Sequence, residues 1–584
     1  MLVSLTPSAR RLIRPLWALL WSFLFLVIIG PDWALGQTPS RQGAPGPGTI
    51  SREPQAARPQ REQGLQRQET DTGAERPQQD VSRLPDQGSE STIFVRDFKL
   101  EDMSYLPEAD LMAILEPYKN RNLTLEQIQE ASGKVAMHFR RNGYPAIQVY
   151  IPEQDASNGV VILKAIVAKF APSHFENQSL VSDWFIKGMV AATLKEGELV
   201  TRKKLERLVL LTNDLPGAGM SRLTMGPGPD FGTTEFLAQV PRGKRIGGFL
   251  MSDNNGSIFT GRTRFMAGID VNSPFNLGDK LSVFGFTTEN QGMSSVSLTY
   301  EFPVGYSGAR VGLNYGYVYY ELGEDFDDLD ITGNTKIVDV YFKYPIIRTA
   351  SRNLYLNLNF AHKEMTDNLA FYDLETYNRN IVGKVSLVNE YWGKMFGKMF
   401  FNKIGASVTY GNIKLRENGQ AALDPRGVEG DFSYGNLEFV LNVGLTEKLG
   451  WNLTASFQKA FGKNLDPSEQ FILTTSTGVR AYRESLSADN GYLLTTEFRY
   501  SLPNIASAQH AIGLFYDHGG WWMEKEPYGG RRSSNINDVG LGYYLNFPHF
   551  ALRAHIVRAL GSFPEEITKK EPETYGSFTL ILYL

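Results

Sequence analysis

The sequence predicts a membrane β-barrel of about 16 antiparallel strands preceded by two small α+β domains. Three observations carry this. From about Gly247 to Leu584, apolar and polar residues alternate in stretches of roughly ten, separated by turn residues. Within 92–242, helical spacing of apolar residues appears twice, each time in the order β-α-α-β-β. The N-terminus has the anatomy of an export signal, and no later run is long and apolar enough for a spanning helix. Membrane insertion is then possible only as a closed barrel.

The chain has 584 residues, enough for several domains. It has no cysteine, which excludes disulfides, Cys-ligated zinc and a thiol nucleophile. A net charge of −4 gives no electrostatic case for binding nucleic acid. The 27 Tyr, 35 Phe and 56 Gly suit many strands joined by tight turns.

Residues 1–36 read as a signal peptide. Arg10, Arg11 and Arg14 precede an uncharged apolar run, Pro15 to Gly30, and Ala34-Leu35-Gly36 puts small residues before Gln37. The run is too short for a spanning anchor, which needs about 20 residues. Residues 37–91 are rich in Gln, Arg, Pro, Glu, Gly and Ser and read as a linker, because so few apolar side chains cannot offset ordering entropy. Within it, 59–70 could form a polar helix if something enclosed it.

The first α+β domain spans 92–170. Ile93, Val95, Phe98 and Leu100 suggest a short strand, and a helix opens at Pro107. Thr124 and Gln127 have capping-box spacing before a helix with Ile128, Ala131, Val135 and Phe139 on one face. Asn142-Gly143 ends it, and strands are expected at 144–151 and 159–168. The second domain, 171–242, has helices at 182–194 and from Thr201 to Asn213. Its strands are expected at 219–225 and 233–240, after a weaker first strand.

The barrel, 243–584, shows period two throughout. Leu354, Leu356, Leu358 and Phe360 share one face, and Asn353, Asn357 and Asn359 the other. At the C-terminus Phe578, Leu580, Leu582 and Leu584 share a face. Polar residues opposite imply a wet interior rather than a packed core.

No pattern of enzyme chemistry is present. None of the seven histidines has metal-ligand spacing, and there is no GxSxG elbow or P-loop. No metal, nucleotide or other cofactor is therefore expected. Asp517 and His518 are adjacent, but on a strand they point to opposite faces and cannot form a relay. If Ile512, Leu514 and Tyr516 face lipid, then Phe515, Asp517 and Gly519 face the lumen. Asp517 is then either an ordinary solvated carboxylate or one that meets a cation. One stretch is unusual: 478–500, where a long loop carrying Val479, Arg480, Ala481 and Tyr482 precedes a strand. That strand puts Tyr492, Leu494, Thr496, Phe498 and Tyr500 on one face and Leu493, Thr495, Glu497 and Arg499 on the other.

These motifs in this order resemble the TpsB transporters of two-partner secretion, a family within the outer-membrane barrels that carry periplasmic POTRA domains. Gly143-Tyr144-Pro145 through Asn158-Gly159-Val160 is similar to the end of the family's first POTRA domain. Asn213-Asp214-Leu215-Pro216-Gly217, Gly226-Pro227-Gly228 and Gly232-Thr233-Thr234-Glu235 resemble its second. Pro274-Phe275-Asn276-Leu277-Gly278-Asp279 resembles the first barrel hairpin. Val479-Arg480-Ala481-Tyr482 resembles the tip of an inward-folded loop, and Phe515 to Gly519 the facing strand motif.

The resemblance implies an outer-membrane pore that moves a large secreted partner, of the haemagglutinin/haemolysin (TpsA) type, from periplasm to cell surface. An insertase that assembles other barrels would share the fold and the arginine–aspartate lock, but two POTRA units rather than a longer array argue against it. The resemblance also implies that Arg480 reaches into the barrel and pairs with Asp517, with Glu497 as a rival. Val479, Tyr482, Phe515 and Gly519 complete this lock, and an N-terminal helix (59–70) would lie in the pore. The outer membrane's lipid and the barrel-assembly machinery are the remaining partners. Two departures stand out. Ala481 replaces a usual Gly, which would be strained at positive φ, and Leu584 replaces a usual terminal aromatic.

Overall fold

Arg96 and Asp97 both donate their backbone N–H to the carbonyl of Gly159, at 2.7 and 3.2 Å, and this splits the first predicted strand in two. In the computed structural model, which describes Arg52 and residues 92–421, 424, 426–474, 478–525, 533–561 and 572–584, β1 is Ile93–Val95 and β2 is Asp97–Glu101. The expected signal peptide and the expected helix at 59–70 lie outside the described residues. β1 pairs with β3 (Arg121–Leu123) as a separate short ribbon, which the sequence did not suggest.

The first unit is otherwise a three-stranded sheet. β5 (Val160–Val167) is central, parallel to β2 and antiparallel to β4 (Ile147–Tyr150). Helices α1 (Glu108–Leu115) and α2 (Leu125–Arg141) bury their apolar sides against it. The start of α2 is fixed by its capping box. Thr124 Oγ accepts from the Gln127 N–H at 3.3 Å, and Gln127 Oε1 accepts from the Thr124 N–H at 3.0 Å. Ile128, Ala131, Val135 and Phe139 are buried, and Gly143 at φ +102° turns the chain out of the helix.

In the second unit the weak first strand is two fragments, β6 (Lys169–Phe170) and β7 (His174–Asn177), both parallel to β9 (Thr233–Val240). β8 (Arg222–Pro227) pairs with β9 on its antiparallel side. Helices α3 (Asp183–Thr193) and α4 (Arg202–Asn213) cover the sheet with Phe185, Ile186, Leu205 and Leu208 in a core of their own.

Sixteen spanning strands follow, each paired with its neighbour in sequence, from Ile246–Asp253 to Thr574–Tyr583. The first pairs with the last, from Phe249 opposite Tyr583 to Asp253 opposite Thr579, and closes the barrel. Apolar side chains point outward as predicted: Leu358, Phe360, Phe578, Leu580 and Leu582 are exposed. The expectation of a wet interior holds where Asn314 and Asn359 donate to Asp339 at 2.7 and 3.2 Å on the inward face, each residue partly exposed, but it fails beside the first strands. Met251, Met266, Phe284, Phe286, Met293 and Tyr320 point inward and are buried against Phe259. Loops folded into the barrel supply the packing partners that strand periodicity alone cannot reveal.

The second unit is fastened to one rim of the barrel. Asp214, at the end of α4, accepts two hydrogen bonds from the Arg348 guanidinium, 2.8 Å from Nε and 2.7 Å from Nη2. Arg207 donates to the carbonyls of Ser307 and Pro345 at 3.0 and 3.2 Å. Leu215 packs on Gly278 (φ +72°), where a side chain would collide with it. The Asn213–Gly217 motif is thus a joint. Asp214→Asn keeps the shape and weakens a bidentate charged pair by about 1–2 kcal/mol. Limited proteolysis should then cleave the 241–245 connector several-fold faster while the barrel stays folded; an unchanged cleavage rate would show that the pair does not hold the joint.

Candidate functional site: the loop inside the barrel

The chain between the strands Leu449–Ala460 and Asn490–Ser501 turns into the lumen instead of lying over the rim. Phe471–Ile472 and Ser487–Ala488 form a two-rung ribbon at its base. Thr474 stitches the next turn: its hydroxyl donates to the Glu484 carbonyl and accepts from the Leu486 N–H, both at 2.7 Å. Gly478 is required here, because a Cβ would collide with the backbone of Leu473 and Thr474.

The tip is Val479–Tyr482. Arg480 donates to Asp517 from Nε at 2.9 Å and from Nη2 at 3.3 Å. Its guanidinium carbon lies 3.5 Å from the centre of the Phe515 ring, so the cation is stacked as well as paired. Asp517 is fully buried. Val479 packs near Gly519, where a Cβ would approach its Cγ2 to 3.1 Å. The structure therefore brings Val479, Arg480, Phe515, Asp517 and Gly519 together, and Tyr482 is buried beside them. Glu497 is not the partner of Arg480. It faces the lumen but accepts from Arg499 at 2.9 Å and from the Tyr544 hydroxyl. His518 lies on the opposite face of its strand from Asp517, bonded to Tyr492 at 2.8 Å and to Asn537.

Ala481 does not carry the expected strain. It is absent from the non-glycine residues with positive φ, and its N–H donates to Asp538 Oδ2 at 2.6 Å. Asp538 was missed by the sequence reading. It is the direct cross-strand neighbour of Asp517 and is fully buried. The signal was available in Asp538-x-Gly540-x-Gly542 on the inward face of the next strand. Gly540 leaves room for the Phe515 ring, which a Cβ there would strike. Tyr575 adds a bond from its hydroxyl to the Arg480 carbonyl.

The loop also reaches the first loop of the barrel. Glu484 accepts from Ser257 Oγ at 2.6 Å and from the Ile258 N–H at 3.0 Å, and Arg262 lies at 3.4 Å. Residues 254–263 are thereby held inside the barrel, where Phe259 meets Phe326 with ring centres 5.2 Å apart. Nearer the loop's base, Glu469 accepts from Lys363, Asn380 and Tyr434 at 2.6, 2.8 and 2.7 Å. Arg52, far away in sequence, donates to the Gln470 carbonyl. Among the described residues no cluster of His, Asp and Glu could hold a metal ion.

A pore-inserted loop on an arginine–aspartate pair, behind an α+β unit, can be compared with known proteins. The family described as haemolysin secretion/activation protein ShlB/FhaC/HecB matches residues 232–543, more than half of the chain. The chain belongs to this family. The ShlB-type POTRA domain matches residues 93–167, the first α+β unit. The heme/hemopexin transporter protein HuxB of Haemophilus influenzae is 24% identical over 450 residues, covering 75% of this chain and 78% of that protein. The outer membrane transporter CdiB-2 of Burkholderia pseudomallei is 24% identical over 36% of each chain. The structure of CdiB from Escherichia coli has the same fold, with a TM-score of 0.67 at 16% identity over 88% of this chain and 94% of that one. CdiB from Acinetobacter baumannii superposes with a TM-score of 0.58 at 18% identity, covering 89% of this chain and 95% of that one.

As a member of the ShlB/FhaC/HecB family the chain is an outer-membrane transporter for a secreted partner protein, with its POTRA region in the periplasm. The rim joined to Asp214 is then the periplasmic one, and loops 254–263 and 461–489 lie toward the cell surface. Two variants probe the tip. Asp538→Ala leaves the buried Ala481 N–H unpaired, a loss of about 1–3 kcal/mol, so the refolded barrel should unfold at lower urea concentration. Gly478→Ala should release the tip, read as faster cleavage within 478–489 by an added protease. An unshifted urea midpoint, or an unchanged cleavage rate, would remove the residue concerned from the anchor.

Proposed function

We propose that an unfolded secreted protein of the haemagglutinin/haemolysin (TpsA) type passes through this lumen, and that the Arg480–Asp517 pair positions the inserted loop for that passage. The observation that carries the proposal is the pair itself, a stacked, two-point contact between a loop tip and the barrel wall. A passive pore has no use for it. The first unit would receive the partner at an unpaired strand edge: β4 lies at the end of the β2-β5-β4 sheet. A groove lined by Ile128, Val149 and Ile151 runs beside that edge. An extended chain added there would gain backbone hydrogen bonds in series. Folding outside the cell would give direction, with no nucleotide, cofactor or enzymatic step on this chain.

In this reading the second α+β unit is a second POTRA domain, and Asp214–Arg348 transmits its position to the barrel. A plug from the N-terminal linker at 59–70 fits the same reading. Arg52, seven residues before it, reaches the loop base at Gln470. The last strand, with Phe578, Leu580, Leu582 and terminal Leu584 outward, would be the segment offered to the barrel-assembly machinery.

Deleting residues 93–167 should abolish secretion of the co-expressed partner; normal secretion would overturn the reading. Arg480→Ala and Asp517→Ala should each lower secretion at least tenfold while heat-modifiable barrel still accumulates in the outer membrane. Removing one member of a buried pair costs about 3–5 kcal/mol of local stability, ample to release the tip. Wild-type secretion by both variants would reject the lock.

One feature favours a second reading as an insertase: the closing seam has five paired residues, against twenty between Thr376–Met395 and Lys398–Glu417. Depletion separates the two. General loss of outer-membrane barrels would favour the insertase, and loss of one exported protein the transporter.

A further inference from the structure

The outward face of the barrel changes character along one row that crosses the strands. On the strand Leu374–Met395 the outward residues Ile381, Val385, Leu387 and Tyr391 are exposed and apolar or aromatic. At about 3.3 Å per residue and a tilt of about 40°, Ile381 to Tyr391 spans about 25 Å, the height of a barrel's lipid-facing band. Ile381 therefore marks the outer-leaflet boundary.

One step above it the face is basic. Tyr317, Lys336, Glu364, Arg379 and Lys414 are successive cross-strand partners on five adjacent strands and so form a single lateral row. All share the parity of the exposed outward residues Tyr315, Val338, Ile381 and Tyr410. Lys336 and Lys414 are exposed, and Arg416 stands exposed one step higher. The single carboxylate in the row, Glu364, meets His362 Nε2 at 3.3 Å, and Asp431 on the next strand accepts from Asn412 at 2.7 Å. Among the described residues Lys336, Arg379 and Lys414 form no ion pair.

We infer that this row is a docking surface for the phosphate groups of an anionic glycolipid in the outer leaflet of the outer membrane. Three points carry this. Arg379 lies one step above Ile381, where lipid headgroups begin. The strand tilt sets Lys336 and Lys414 about 6 and 3 Å to either side of that height, within the headgroup layer and above the exposed Val338, Val340, Phe360 and Val385 that would meet acyl chains. Strands spaced about 4.8 Å apart put Lys336 and Lys414 about 14 Å apart, the scale of a disaccharide bearing a phosphate at each end. Arg379, between them, presents a planar donor fork suited to phosphate, and Tyr317 flanks the row with a ring suited to the interface. Exposed Glu321 and Glu375 stand on the same outward faces two steps higher, so the cations are gathered in the row itself, on either side of Glu364.

The test uses the full chain in nanodiscs of neutral phospholipid. Bisphosphorylated lipid A or its enzymatically dephosphorylated form is added, and bound glycolipid is counted by native mass spectrometry. The wild-type chain should retain the bisphosphorylated lipid and lose most of that binding with the dephosphorylated one. Lys336→Gln, Arg379→Gln and Lys414→Gln should each reduce retention roughly fivefold, the effect of one interfacial charge. Inorganic phosphate should not compete, because the acyl chains anchor the ligand. Equal retention of the two lipids by the wild-type chain would overturn the inference without any variant. Displacement by inorganic phosphate, or unchanged retention in variants that remain heat-modifiable, would overturn it too.

Discussion

A guanidinium inside a membrane barrel needs a carboxylate, and the placement of Asp517 decides what the rest of the lumen can be. Arg480 is held by two bonds and a ring face, so the tip of the 461–489 loop has one position. From that tip the constraint spreads. Ala481 is tied by its backbone to Asp538, and the Arg480 carbonyl accepts from Tyr575 on the last strand. Four strands are therefore referred to one point: the two bearing Asp517 and Asp538, the last strand, and the one the loop precedes. Glu484 then passes the constraint to Ser257 and Ile258, which belong to the loop after the first strand. The placement of both inserted loops in the lumen is a consequence of one ion pair acting through short connections.

The periplasmic side is organised by a similar contact. Asp214 and Arg348 form a two-point pair at the mouth of the barrel, and small residues at Gly278 and Gly308 let Leu215 and Leu211 sit against the turns. Such pairs fix geometry more than they add stability, because desolvation offsets much of their attraction. Each joins parts that the backbone alone would leave free to rotate, one at each end of the pore.

Much of this architecture was written locally. Alternation in Leu354–Phe360 and Phe578–Leu584 gave both the barrel and its lipid face, and Thr124 with Gln127 gave a helix start to the residue. The break at Arg96 was not legible, because it depends on the Gly159 carbonyl more than sixty residues away. The apolar cluster inside the barrel beside the first strands was not legible either, since Met251, Met266 and Phe284 look like misplaced apolar residues until Phe259 is known to fold among them. At the site, Arg480 and Asp517 could be paired only through the family's motifs. Asp538 stayed hidden for a plainer reason: its partner is a backbone N–H, which every residue but proline offers.

The strands are far from equal in length, from eight residues in Ile246–Asp253 to twenty-two in Leu374–Met395. The cylinder is therefore mechanically lopsided. Sliding two strands past each other breaks every rung of their ladder together, so resistance to shear grows with the number of rungs. The wall from Ile331 to Glu417 is a stiff spine, whereas the join between Phe249–Asp253 and Thr579–Tyr583 has five rungs to lose. Any change in girth will be taken up beside the first strand, with the tall wall standing still, and the loop held by Glu484 is the one attached to the strand that gives way.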